Sequence, residues 1–195
     1  NKAVGVQMKD GKTFTAKNII SGAGIMTTYN KLIPSDIAEK HQLKQQLQTV
    51  KRSVSHACLY IGLKGSPEEL KLPKTNYWIY PDNIDHDTAI DNYVHNLNAD
   101  FPVVYISFPS AKDPDWTNRY PGKSTIDIIT LLPYDGFKNW DGTKWMKRGE
   151  EYEALKEKIS KRLLEVLFKH IPQAKDKIEH YELSTPLTTK HFINY

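Results

Sequence analysis

The 195-residue sequence has little that would cross-link a fold or anchor it in a membrane. It contains a single cysteine, Cys58, which cannot form a disulfide within the chain, and it shows no Cys/His spacing typical of a zinc ribbon. Its longest apolar runs, such as 103–106, fall far short of the roughly 20 residues that a membrane-spanning helix needs. No signal peptide is recognisable. Disulfide scaffolds, zinc ribbons and transmembrane segments are therefore excluded.

Neither sign of charge is in large excess. The 27 Lys and Arg residues against 23 Asp and Glu residues leave a net charge of +4, spread along the chain without a basic block. Nucleic-acid binding is therefore not suggested. The content of 39% hydrophobic and 11% aromatic residues is ordinary for a globular protein and predicts one or two domains with their own core.

The first residues predict a β-hairpin. Val4, Val6 and Met8 alternate with polar or small residues, the Asp10-Gly11 pair is typical of a tight turn, and 13–16 returns as a second strand.

A third strand is predicted over 18–21, running into Gly22-Ala23-Gly24. A Gly-x-Gly after a strand is part of a dinucleotide-binding fingerprint, but Thr27 occupies the third glycine position and no acidic residue closes a following strand. The complete fingerprint is absent. A strand-end turn before a short helix over 26–32 is favoured instead.

The rest of the pattern is that of a sheet with helices. It predicts a polar helix over 37–48 after Ser35-Asp36, strands over 55–63, 77–80, 103–108, 125–132 and 178–183, and a long amphipathic helix over 149–170. The expected fold class is α/β of the α+β type, with a mixed, largely antiparallel β-sheet flanked by helices. On the first central strand both faces look partly covered, so one can pack on helices and the other line a cavity.

Catalytic motifs are weak. No nucleophile elbow, P-loop or HExxH sequence occurs, and the seven histidines show no metal-binding spacing. His56 and Cys58 could begin a metal site, but a buried structural pair is favoured. Some aspartates could act as acids or bases, although capping and turn formation explain most of them: Asp113, Asp115, Asp127 and Asp135. The residues alone predict an apolar pocket without a defined reaction.

Several segments resemble one family of flavoproteins. They are the hairpin and glycine segments 5–12 and 16–24, the segments 108–116 and 119–125, Lys147-Arg148-Gly149, and 184–188. They are similar to the phytoene desaturase and carotenoid isomerase-like FAD-dependent oxidoreductases, above all to the retinol-saturase branch. The family's glycine-rich FAD fingerprint is missing. The start at Asn1 and the end after Phe192-Ile193 predict an internal piece of such a protein.

The resemblance implies the substrate domain of an FAD-dependent amine-oxidase/phytoene-desaturase-like fold. It assigns 1–30 to the edge of the FAD-binding domain, 31–183 to the substrate-binding domain and 184–195 to the start of the segment that leads back to the FAD domain. The two ends of the chain are expected to lie close together. The implied reaction is saturation, desaturation or isomerisation of a conjugated polyene or isoprenoid. FAD is the implied cofactor of the whole protein and NAD(P)H a candidate reductant. The implied location is cytoplasmic or peripheral to a membrane. The piece alone is expected to be inactive and to bind no FAD.

The alternative function is a non-catalytic module that binds an apolar ligand or another protein. For the enzyme, the resemblance and the strand pattern together give candidate site residues. The substrate-binding candidates are Tyr60, Trp78, Tyr80, Tyr105 and Phe108, each with ordinary sheet packing as the alternative. The cofactor-binding candidates are Gly22, Ala23, Gly24, Thr185, Pro186 and Thr188. His191 is a candidate proton donor, with a Ser/Thr/Pro loop carrying a surface histidine as the alternative. No metal is expected.

Overall fold

Two compact units make up the chain in the computed structural model, which describes residues 2–50 and 53–193. The first unit lies within 2–50 and the second within 53–193. The predicted division at residues 30 and 183 refers to roles in a whole flavoprotein and stays a prediction. The predicted proximity of the chain ends concerns Asn1 and Asn194–Tyr195, which lie outside the described residues.

The first unit begins with the predicted hairpin. Strands β1 (Gly5–Gln7) and β2 (Thr13–Thr15) pair antiparallel. Gly11 takes the turn with φ of +86°, a backbone conformation that glycine adopts without strain. The Lys12 N–H donates to Asp10 Oδ1 at 3.0 Å, which fixes the turn.

Short helices complete the first unit. They are α1 (Ile25–Thr27) with a π-helical turn over Thr28–Leu32, α2 (Ser35–Lys40) and α3 (Leu43–Gln48). The prediction of one helix over 37–48 is wrong, because Gln42 adopts the left-handed conformation with φ of +51° and ends α2. The predicted strand over 18–21 is also wrong: no described strand pairs with it, and Ile20 is 95% exposed.

The second unit is built on a five-stranded sheet. Its strands are β3 (His56–Lys64), β4 (Tyr77–Ile79), β5 (Val104–Ser107), β6 (Lys123–Leu131) and β7 (Ile178–Ser184). Its helices are α4 (His86–His95), α5 (Pro109–Lys112), α6 (Trp116–Arg119), α7 (Glu150–His170) and α8 (Pro186–Ile193), with 3₁₀ segments over Tyr134–Trp140 and Pro172–Lys177. The strand order is β4-β5-β6-β3-β7, and all neighbours are antiparallel. This confirms the predicted fold class.

Alternation along the strands gives the sheet one core face. On β3 the buried side chains are Ala57, Leu59, Ile61 and Leu63. Leu59 lies opposite Ile128 of β6 and Leu183 of β7, and all three are at most 2% exposed. Helix α7 contributes Leu163 and Leu167 to the same core. Helical packing thus covers this face of the sheet.

The charges at the two ends of α7 match its dipole. Glu150, Glu151 and Glu153 lie in the first turn, and Lys169 and His170 in the last. The helix begins after Gly149 at φ of +90° and ends before Ile171-Pro172, as proline at the next position predicts.

The connection between β5 and β6 contains the short helices α5 and α6, and α8 begins within the segment predicted as a Ser/Thr/Pro loop. Among the described residues, no helix combines the length and the apolar character that crossing a membrane requires. The predicted peripheral membrane contact concerns a whole protein and stays a prediction.

Candidate functional site

The sheet of the second unit has a second face, called the open face here, which helices do not bury as they bury the core face. Its side chains include one from each strand in direct cross-strand register: Trp78, Tyr105, Ile129, Cys58 and Ser184. With about 4.8 Å between neighbouring strands, these five residues span about 19 Å across the sheet from β4 to β7. We call Trp78, Tyr105, Ile129 and Cys58 the apolar row.

The aromatic end of the apolar row is accessible. Trp78 is 62% exposed and packs edge-on against Tyr105, with ring centroids 4.7 Å apart. The two rings are in contact, and contiguous apolar patches of this kind mark ligand or partner sites more often than single exposed apolar side chains do. The arrangement provides an apolar floor.

A polar row runs beside the apolar row. It consists of Ser107 on β5, Asp127 on β6, Tyr60 on β3 and Glu182 on β7, again in direct register. Partial burial raises the pKa of Asp127, while the nearby Lys112 ammonium lowers it. Asp127 is therefore a half-buried carboxyl group in the middle of a strand, and turn formation does not explain it.

The thiol and phenol of this face stay neutral at physiological pH. Burial raises the pKa of Cys58 to about 11. Interaction with the Cys58 side chain, followed by partial burial, raises the pKa of Tyr60 to about 12. Since the thiolate is the reactive form of cysteine, Cys58 is an inert member of the apolar row.

A cleft of about 670 Å³ adjoins the open face on the β7 side. His56, Tyr60, Glu182 and Ser184 form its floor. Its walls come from α7, α8 and the loop before α7, through Arg148, Tyr152, Lys156, Thr188, Phe192 and Trp145. Tyr60 belongs to both the open face and the cleft, so the two surfaces are continuous.

The start of α8 is fixed by buried hydrogen bonds. Tyr152 Oη and Thr185 Oγ1 lie 2.7 Å apart, and Thr185 is fully buried. The Thr185 N–H donates to Thr188 Oγ1 at 3.2 Å, as at a capped helix start, and Pro186 occupies the first turn. The predicted Ser/Thr/Pro loop is the start of helix α8, because the sequence Thr-Pro-x-Thr over 185–188 favours the beginning of a helix.

The predicted flavin-contact residues take different positions. Thr185 and Pro186 are buried, whereas Thr188 lines the cleft. His191 is exposed and stacks on Trp145, with ring centroids 5.4 Å apart, and it is not among the side chains that line the cleft. Their contacts with flavin, and the donor role of His191, stay predictions.

Gly22, Ala23 and Gly24 lie in the first unit and precede the three-residue helix α1. Gly24 has φ of +77°. The helical segment that follows runs over Ile25–Leu32, but no described strand leads into the glycines, so the strand of the strand-turn-helix cradle of a dinucleotide pyrophosphate is missing here.

The predicted aromatic substrate contacts divide between the two faces. Tyr60, Trp78 and Tyr105 lie on the open face. Tyr80 follows β4, is 51% exposed and packs edge-on against His86. Phe108 is fully buried and packs edge-on against Tyr77, so it occupies a core position.

The other candidate polar residues are mostly surface groups. Asp113 and Asp115 pair with Arg119, and Asp135 pairs with Lys138. The prediction of a buried pair at His56 and Cys58 is wrong for His56, which is exposed at the start of β3. Within the part of the chain that the structure describes, no three His, Cys, Asp or Glu side chains are grouped as a metal site.

Sequence reasoning missed the cleft, including Trp145, Arg148 and Tyr152. Trp145 stacks on His191 of α8, and Tyr152 Oη lies 2.7 Å from Thr185 Oγ1; each partner follows more than thirty residues later. Local periodicity carries no signal for such a contact.

Comparison with known proteins shows relatives along nearly the whole chain, although it matches no profile of a known protein family. The all-trans-retinol 13,14-reductases of Danio rerio and Homo sapiens are each 34% identical over 98% of this chain. A protein named inactive all-trans-retinol 13,14-reductase, also from Danio rerio, is 31% identical over 95%. The chloroplastic prolycopene isomerase of Arabidopsis thaliana is 29% identical over 98%. This confirms the family resemblance predicted from the sequence.

The chain spans about a third of the length of these relatives, with 33% and 32% of the two reductases and 29% of the isomerase.

Proposed function

We propose that this chain, a relative of retinol reductases and prolycopene isomerases, forms the substrate-binding part of an FAD-dependent oxidoreductase that acts on a conjugated polyene or isoprenoid. The observation that carries the proposal is the open face, with Trp78 and Tyr105 edge to face at 4.7 Å on its β4 side and an open cleft on its β7 side. In this proposal the apolar row is the floor on which the polyene lies.

The chemistry of a polyene favours this surface. A conjugated chain is flat and apolar and offers almost no hydrogen-bonding groups, so its binding free energy comes from apolar area removed from water. The apolar row supplies aromatic rings at one end and the partly buried Ile129 next to them, whereas Cys58 is only 6% exposed and offers little area to a ligand. Because Cys58 stays a neutral thiol, the row carries no charge that a polyene would have to desolvate.

The flavin that the family resemblance implies finds no pyrophosphate cradle at Gly22–Gly24, because no described strand leads into this segment. We therefore assign pyrophosphate binding to other parts of the whole protein and derive no step through the flavin. The role proposed for this chain is to bind the polyene, orient it and exclude water from one side.

A second candidate function is binding of an apolar ligand without turnover. The relative named inactive, 31% identical over 95% of the chain, favours keeping this candidate. Both functions use the same open face and differ only in whether the bound polyene is converted.

Alanine substitution on the open face tests the proposal in the full-length holoprotein. Trp78→Ala and Tyr105→Ala are each expected to raise the KM or Kd for a polyene substrate about tenfold, because each removes aromatic area worth about 1.5 kcal/mol. Steady-state kinetics and ligand fluorescence provide the measurements, with flavin content and melting temperature monitored.

Tyr120→Ala is the matched control, since Tyr120 is 48% exposed and lies outside the sheet. Its polyene affinity is expected to be unchanged. Equal affinity in all of these variants would contradict the proposed floor. If the full-length holoprotein binds the polyene but does not convert it, and the open-face variants bind it more weakly, the non-catalytic candidate function is supported.

A further inference from the structure

A lysine at the end of helix α5 reaches the polar row. Lys112, the last residue of α5, donates from Nζ to Ser107 Oγ at 3.0 Å and to Asn76 Oδ1. Ser107 is the β5 member of the polar row and lies directly opposite Asp127. The ammonium is therefore held at the open face by two neutral oxygens, which leaves its charge without a paired carboxylate among the described residues.

Asp127 faces the same place without a partner of its own. It lies between Ser107 and Tyr60 in the sheet register and is half-buried, and its carboxylate accepts no hydrogen bond and forms no ion pair within residues 2–50 and 53–193. A half-buried carboxylate without a partner lowers the stability of the folded chain, so its presence is not explained by stability. The titratable group that acts on it most is the Lys112 ammonium.

The pair lies beside the apolar row. Ser107 and Tyr105 are two residues apart on β5, as are Asp127 and Ile129 on β6, which separates the rows by about 7 Å along the strands. A ligand whose apolar body lies on the apolar row therefore has one polar neighbourhood within reach. That neighbourhood offers one cationic donor and one anionic acceptor.

We propose that Lys112 and Asp127 form a head-group subsite that binds the hydroxyl of an isoprenoid alcohol lying on the apolar row. The Lys112 ammonium donates a hydrogen bond to the hydroxyl oxygen, and the Asp127 carboxylate accepts one from the hydroxyl proton. The inference rests on the proposed polyene-binding function and deepens it by naming the substrate class.

The subsite discriminates by hydrogen-bonding chemistry. A hydroxyl group both donates and accepts, so it satisfies both side chains. A carboxylate head group would accept from Lys112 but be repelled by Asp127, and a hydrocarbon end would leave both unsatisfied. A hydrogen bond to a charged group contributes about 1.5–3 kcal/mol, so the preference for the alcohol is expected to be about 10- to 100-fold.

The binding test uses the full-length holoprotein with three ligands: all-trans-retinol, all-trans-retinoic acid and a polyene hydrocarbon. Lys112→Met is expected to weaken retinol binding about 10-fold or more and to leave the hydrocarbon unchanged. Asp127→Asn is expected to strengthen retinoic acid binding about 10-fold, because the repulsive charge is gone and Lys112 remains. A purely structural role would not produce this gain.

Lys123→Met is the matched control, since Lys123 pairs with Glu179 at the protein surface. Unaltered ligand preference in Lys112→Met and Asp127→Asn would overturn the subsite, while binding of all three ligands would leave the proposed function intact. Failure of every polyene to bind the wild-type protein would instead overturn the proposed function itself.

A stability measurement tests the unpartnered state of Asp127 independently of ligand. Burial raises the pKa of this carboxyl in the folded chain above its value in the unfolded chain. The protonated, neutral carboxyl is therefore tolerated at low pH, and the folded chain loses stability as the pH rises through the folded pKa and the carboxyl ionises. Asp127→Asn is therefore expected to raise the melting temperature at pH 7 and to have no effect near about pH 3. An unchanged or lower melting temperature at pH 7 would show a paired carboxylate and contradict the subsite.

Discussion

Replacing Phe108 with alanine is expected to lower the free energy of unfolding of the chain by about 3–5 kcal/mol. Phe108 is 0% exposed and its ring lies edge-on to Tyr77 with centroids 5.5 Å apart, so alanine leaves a cavity between the sheet and its helical cover. Urea denaturation followed by circular dichroism measures the change. The effect is large because Phe108 belongs to the buried cluster that β3, β6 and α7 also build.

Tyr105→Ala is the matched control for this prediction. Tyr105 lies three residues earlier on the same chain segment but faces the open side, where it is only partly buried. Its replacement is expected to cost about 1 kcal/mol or less. Equal losses in the two variants would contradict the assignment of Phe108 to the core and of Tyr105 to the open face.

The chain purified by itself is expected to carry no flavin and to show no turnover of retinol. The pyrophosphate of FAD needs a strand, a glycine turn and the N-terminus of a helix, and no described strand leads into the Gly22–Gly24 segment. Absorbance of the purified chain in the flavin bands, with and without added FAD, measures this. The loss relative to the full-length holoprotein is expected to be complete.

The full-length holoprotein, prepared in the same way, provides the positive control for that experiment. Stoichiometric flavin that copurifies with the isolated chain would contradict the prediction. It would also require a cradle other than the glycine segment.

Elements with a strong local pattern could be predicted from the sequence. The Asp10-Gly11 turn, the alternation along β3 and the amphipathic run of α7 each specify their structure through neighbouring residues. The break at Gln42 could not be predicted, because glutamine carries no preference for the left-handed conformation that it adopts. The strand expected over 18–21 failed since a strand also needs a pairing partner, which a local pattern does not supply.

The candidate site was predictable only in part. Aromatic residues on strands pointed to Trp78 and Tyr105, and strict alternation with Ile106 would have placed Phe108 on the core side. Capping and turn formation do not explain Asp127, because its place between Ile126 and Ile128 indicates a strand side chain on the opposite face. Its proximity to Lys112 depends on the fold of the loop after β5, which no local pattern specifies.

Photo-crosslinking from the open face tests the central claim most directly. A benzophenone amino acid at position 105 of the full-length holoprotein, irradiated with bound all-trans-retinol, is expected to give a covalent adduct detected by peptide mass spectrometry. The same amino acid at position 120, outside the sheet, is expected to give none. Adducts at position 120 alone, or at neither position under saturating retinol, would contradict the account of the open face as the floor of the polyene site.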